Sequence, residues 1–128
     1  MIETSTLPNA PGCYLFRDAG GTILYIGKAK DLKKRVGSYF RKREPDPKTR
    51  MMVEAAESLD YIITGNEVEA LILENSLIKK HQPRFNIDLK DAKAYAYIQL
   101  TDDPFPAIRI ARNPAGAGTF FGPFVSAA

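Results

Sequence analysis

The chemistry this sequence offers rests on two tyrosines, an arginine and a glutamate. Tyr14 closes the tripeptide Gly12-Cys13-Tyr14, Tyr25 opens Tyr25-Ile26-Gly27, and a basic run begins directly after the second. A phenol acts as a general base only if nearby cations or a metal-bound hydroxide loosen a proton ordinarily held to a pKa of roughly 10. Lys28, three residues after Tyr25, is a ready source of such a field. Taken singly, either tyrosine reads as hairpin core, so the inference rests on the set. Glu74 has Ala70, Leu71, Leu77 and Ile78 as its neighbours on a helical wheel, whereas Glu67, Glu69, Lys79 and Lys80 can lie toward the edges or ends. A carboxylate inside an apolar stripe is costly unless paired, hydrogen-bonded or bound to a cation. Two readings follow for Glu74: a structural ion pair with a buried arginine, or a ligand for a hard divalent cation such as Mg²⁺. Arg35, beside Leu32 and Tyr39 at the rim of another stripe, can grip a phosphate bidentately and stabilise its developing charge. It can equally serve as the partner of Glu74.

The elements that must hold these groups are legible in outline. Residues 13–17 and 22–27 read as the arms of a β-hairpin around Asp18-Ala19-Gly20-Gly21. Asp31 caps a helix running to about Phe40, with Leu32, Val36, Tyr39 and Phe40 on one side. Glu44-Pro45-Asp46-Pro47 breaks the chain, and a second helix starts with Asp46 as its cap and runs to about Ser58. Residues 59–64 read as a third strand. The Asn66-x-x-Glu69 pattern opens the clearest helix, which extends to about Lys80 and stops near Pro83. Beyond Asp91 the pattern changes to short strands and loops over 95–100, 108–111 and 120–124, so a boundary falls near residue 90.

Size and composition bound the function. A chain of 128 residues, 45% hydrophobic and 26% charged, is long enough for one real core. It contains no apolar run of the roughly 18 to 20 residues that a membrane span needs, and its first residues lack the pattern of a signal peptide. A lone cysteine, Cys13, excludes an internal disulfide and a cysteine-rich zinc site and points to a reducing cytoplasm. Net charge is only +3, yet from Lys28 to Arg50 ten Lys/Arg residues face three acids. Such local concentration is the electrostatic footprint of a polyanion-binding surface; a solvated helix face with a basic loop is the plainer alternative. There is no P-loop, because Gly27-Lys28 lacks the upstream glycine spacing.

Gly12-Cys13-Tyr14, Tyr25-Ile26-Gly27 and the following Lys28-Ala29-Lys30-Asp31-Leu32-Lys33-Lys34-Arg35-Val36 closely resemble the GIY-YIG nuclease superfamily, in its UvrC-like branch. Asn66 to Asn75, Leu77 to Asn86 and Phe121-Gly122-Pro123-Phe124 extend the likeness over nearly the whole chain in the expected order. The resemblance implies a small α+β domain over about residues 1–90, a three-stranded antiparallel sheet flanked by helices, followed by a β/loop extension over 91–128. It implies a metal-dependent endonuclease making the 3′ incision of nucleotide excision repair. Glu74 would hold one Mg²⁺ or Mn²⁺, and one tyrosine, Tyr25 with Lys28 beside it by preference, would be general base. Tyr14 would line the site, Arg35 would clamp the scissile phosphate, and Tyr39 and Asn86 would complete the pocket. Lys28, Lys30, Lys33, Lys34, Arg35, Arg41, Lys42 and Arg43 are the expected DNA contacts. Damaged double-stranded DNA and a UvrB-like protein, bound through regions outside this chain, are the implied partners of a monomer. Cys13 departs from the aliphatic residue usual between the glycine and tyrosine, and as a small hydrophobe it is tolerated. A non-catalytic DNA-binding module of the same fold and a stand-alone nuclease are the competing functions; both a fragment and a natural short homologue fit the length.

Overall fold

The computed structural model describes residues 2–41, 46–88, 94–112, 114, 116 and 118–126. Among these residues, two three-stranded antiparallel sheets and four helices make up an α+β architecture. Strands β1 (Gly12–Arg17) and β2 (Ile23–Ala29) form the hairpin, and β3 (Ser58–Ile63) lies on the far side of β1, giving the order β2-β1-β3. The expected central sheet is therefore present.

Strand register sorts the side chains onto two faces, because residues paired across a sheet share a face and neighbours along a strand alternate. Tyr14 pairs with Gly27 and Phe16 with Tyr25, which puts Tyr14, Phe16 and Tyr25 on one face. There they form the main core with Leu32 and Val36 of α1 (Leu32–Arg41), Met52 of α2 (Pro47–Ala55) and Phe85 of α4 (Arg84–Asp88). Cys13 pairs with Lys28 on the opposite face, where α3 (Glu67–His81) packs and the Cys13 Sγ–H donates to the Ala70 carbonyl.

Caps set the helix starts. Asp31 Oδ1 accepts from the Lys34 N–H ahead of α1, and Asp46 Oδ1 accepts from the Thr49 N–H ahead of α2, with Pro47 at its first position. Asn66 Oδ1 accepts from the Glu69 N–H, while Glu69 Oε2 accepts from the Gly65 N–H, a reciprocal cap displaced by one residue from the usual box. Gln82, left-handed at φ 42°, ends α3 before Pro83. Helix α2 stops at Ala55, three residues short of its expected end, because the Glu57 N–H is drawn to the Arg17 carbonyl and the chain enters β3. Helix α4 was not expected. Its five residues are too few for a periodic pattern.

After residue 93, β4 (Ala94–Leu100), β5 (Ile108–Ala111) and β6 (Thr119–Ser126) form the second sheet in the order β5-β4-β6, and α3 contacts it. The boundary expected near residue 90 lies outside the described residues, as do Lys42 and Arg43. No helix among the described residues is long and apolar enough to cross a membrane.

Candidate active site

The two motif glycines are explained by close approach. A Cβ on Gly27 would lie 2.3 Å from the Tyr14 hydroxyl and 2.4 Å from its ring carbon Cζ. The Tyr14 ring therefore lies over the bare Gly27 backbone of the neighbouring strand. A Cβ on Gly12 would lie 2.1 Å from the Ile62 carbonyl oxygen, so that glycine lets β1 and β3 approach. Neither glycine has a positive φ.

Over this bed three phenols converge. The Tyr14 and Tyr39 hydroxyls share a hydrogen bond of 2.7 Å, and the Tyr25 ring centroid is 6.3 Å from that of Tyr14 and 6.5 Å from that of Tyr39. The Arg35 guanidinium sits 5.2 Å from the Tyr39 ring centroid, on the exposed side of α1. Burial pushes the Tyr14 and Tyr25 hydroxyls upward from their ordinary pKa, with Tyr39 adding to the rise and Arg35 opposing it. Tyr25 is also raised by Glu74. The Tyr14 phenol in turn shifts Arg35 upward.

Glu74 is fully buried on α3, and its Oε2 accepts a 2.8 Å hydrogen bond from the Lys28 backbone N–H. Asn86 of α4 uses both ends of its amide on one residue of β2: Oδ1 accepts from the Ile26 N–H at 2.8 Å and Nδ2 donates to the Ile26 carbonyl at 2.9 Å. Ile26 and Lys28 therefore turn their N–H groups away from β1, along the open edge of β2. The site wraps that edge. Tyr25 approaches from the α1 face, and Glu74 reaches the edge from α3.

Lys28 is placed differently from expectation. Its odd spacing from Tyr25 puts its side chain on the other face, and its Nζ lies 3.1 Å from Glu67 Oε1. The field at Tyr25 therefore comes from Arg35 among the cations, and in the protein alone the phenol is raised. Glu67, expected toward an edge of its helix, is the residue the sequence reading passed over. Its seven-residue spacing from Glu74, two helical turns, was the available signal. Lys30, Lys33, Lys34, Arg35 and Arg41 are all exposed, on α1 or just before it.

Among the described residues no group of three or more His, Cys, Asp or Glu side chains is gathered to hold a metal. A cation here would have Glu74 as its one carboxylate, with the Tyr25 phenol within reach of the same charge. That all-oxygen, single-carboxylate set suits Mg²⁺, which is content with one or two carboxylates and several waters.

An α+β domain with paired tyrosines and a glutamate at a strand edge defines a class. The chain belongs to the UvrC-like GIY-YIG domain family, which matches residues 10–87. Among individual proteins, it is similar to UvrABC system protein C of Methanosarcina acetivorans, 65% identical over 99% of this chain and 25% of that protein. UvrABC system protein C of Methanosarcina mazei is 63% identical over 99% of this chain and 24% of that protein. The chain thus spans about a quarter of the length of these relatives. Among solved structures, the GIY-YIG N-terminal endonuclease domain of UvrC from Thermotoga maritima, bound to magnesium as its catalytic divalent cation, matches with a TM-score of 0.58. Identity there is 40%, over 64% of this chain and 89% of that one.

Proposed function

We propose that this domain hydrolyses a DNA phosphodiester, making the 3′ incision of nucleotide excision repair with one divalent metal ion and a tyrosine base. The observation that carries the reading is Glu74: a fully buried carboxylate, oriented by a strand N–H, beside a phenol whose proton it influences. The magnesium-bound endonuclease domain of T. maritima UvrC supports the choice of cation.

When bound, the metal supplies Lewis-acid stabilisation of the scissile phosphate and of its leaving oxygen. Glu74 holds it and Lys28 N–H fixes the rotamer of Glu74. Tyr25, a buried phenol that Glu74 influences, would give its own proton to solvent once the Glu74 charge is offset by the bound cation, and as phenolate would take the proton of the attacking water. Neutralising the Glu74 charge removes one of the effects that raise Tyr25. Tyr14 is more deeply buried and is bonded to Tyr39, which suits it to fixing Tyr39 in place. Arg35 stands exposed over Tyr39, ready to clamp phosphate. Asn86 serves the site by holding β2. The exposed basic residues along α1 face the DNA backbone, and a UvrB-like partner brings the damaged duplex through regions outside this chain.

The deciding experiment is Glu74→Gln, assayed on damaged duplex with Mg²⁺ or Mn²⁺ in the longer protein with its partner. Nicking should vanish while the circular dichroism spectrum is unchanged. A variant that cuts as fast as wild type refutes the metal assignment.

A further inference from the structure

We propose that Glu67 is a positioning residue of the metal site: by holding the Lys28 ammonium it keeps that charge off Glu74 and leaves Glu74 to the metal ion. The proposal rests on reading Glu74 as the metal ligand.

Lys28 is tied to α3 at both ends. Its backbone N–H donates to Glu74 Oε2 at 2.8 Å, and its Nζ lies 3.1 Å from Glu67 Oε1. The Lys28 side chain is only 9% exposed, so its ammonium is largely cut off from water and must have a carboxylate partner. Two glutamates meet Lys28, seven residues apart on one side of α3, which is about 10 Å along the helix axis. A lysine stem is a flexible four-carbon tether, and this one is anchored next to Glu74.

An ammonium and a divalent cation compete for one carboxylate. Glu67 settles that competition by engaging the ammonium two turns away, at the N-terminal end of α3, where its own side chain is 36% exposed.

The test is Mn²⁺ binding to the full chain without DNA, followed by electron paramagnetic resonance of the free ion. Glu67→Gln keeps shape and removes charge, and should raise the Mn²⁺ dissociation constant about tenfold or more, the usual effect of losing a group that orients a metal ligand. Lys28→Met alone should bind Mn²⁺ at least as tightly as wild type. The double variant Glu67→Gln/Lys28→Met should return to near wild-type affinity, because no ammonium remains to compete. Unchanged affinity in Glu67→Gln, or a double variant that stays weak, overturns the proposal. Should Glu67→Gln fail to fold, Lys28→Met decides: weakened binding there overturns it as well. Glu74→Gln separates the two readings. If it retains Mn²⁺ affinity the metal assignment falls, whereas if it loses affinity and Glu67→Gln does not, only the positioning role falls.

Discussion

Gly27→Ala tests the bed on which the tyrosines lie. The new methyl would sit 2.3 Å from the Tyr14 hydroxyl, 2.4 Å from Cζ and 2.9 Å from Cε2. Ordinary contact requires the ring to retreat by about 1 Å, and it is enclosed by Phe16, Tyr25 and Tyr39. Overpacking of this kind costs about 1–3 kcal/mol. The retreat also strains or breaks the Tyr14–Tyr39 hydrogen bond, and a buried hydroxyl left unmatched costs about 1–3 kcal/mol more. The backbone adds nothing, since Gly27 is not at positive φ. Together the loss should be about 2–6 kcal/mol, a large share of the 5–15 kcal/mol typical of a whole domain. Urea unfolding should show a lower midpoint with the slope preserved. Tyr14→Ala in the same background removes the obstructed ring and should recover part of the loss in a double-mutant cycle. A loss below about 1 kcal/mol, or purely additive effects, would show that the ring does not depend on the missing side chain.

Other expectations concern charge. Arg35→Ala should slow nicking about a hundredfold or more with Mn²⁺ affinity retained, as for loss of one charge-stabilising group; a tenfold effect or less would leave Arg35 a structural role. Affinity for undamaged DNA should fall steadily as salt is added, and an affinity indifferent to salt would remove the α1 surface as the contact. The Cys13 thiol, ordinarily at 9.0, is held at about 12 in the folded chain by burial ahead of Glu74. The folded state thus keeps a proton that the unfolded chain releases, so its share of stability is intact below pH 9 and is lost as pH rises toward 12. Cys13→Ala should flatten that part of the stability curve, and an unaltered slope would contradict the burial.

Much of this was legible because the signals were local. The hairpin, the caps at Asp31, Asp46 and Asn66, and the apolar neighbours of Glu74 all depend on residues within a few positions of one another. What escaped depends on register. The purpose of Gly27 appears only once Tyr14 is known to stand opposite it. The end of α2 was set by a strand formed some forty residues earlier. Lys28 is instructive, because closeness in sequence to Tyr25 suggested a shared pocket while strand alternation separates the two side chains. Applied to Lys28, the two-residue period of a strand would have given its face from the sequence alone. The pairing with Glu67 joins two distant segments and was beyond local pattern.

The open edge of β2 has a consequence for folding in a crowded solution. An exposed strand edge is a template on which another chain can lay its own backbone. Along Leu24-Tyr25-Ile26 this one is apolar and would be a favourable template. Asn86 presents an amide to both polar groups of Ile26, as a neighbouring strand would, and Glu74 occupies the next outward N–H at Lys28. The side chains assigned to the proposed site thus also stop the sheet from growing. Until α3 and α4 dock the hairpin is vulnerable to pairing with another copy, so substitutions here that spare the fold can still lower the yield of soluble protein.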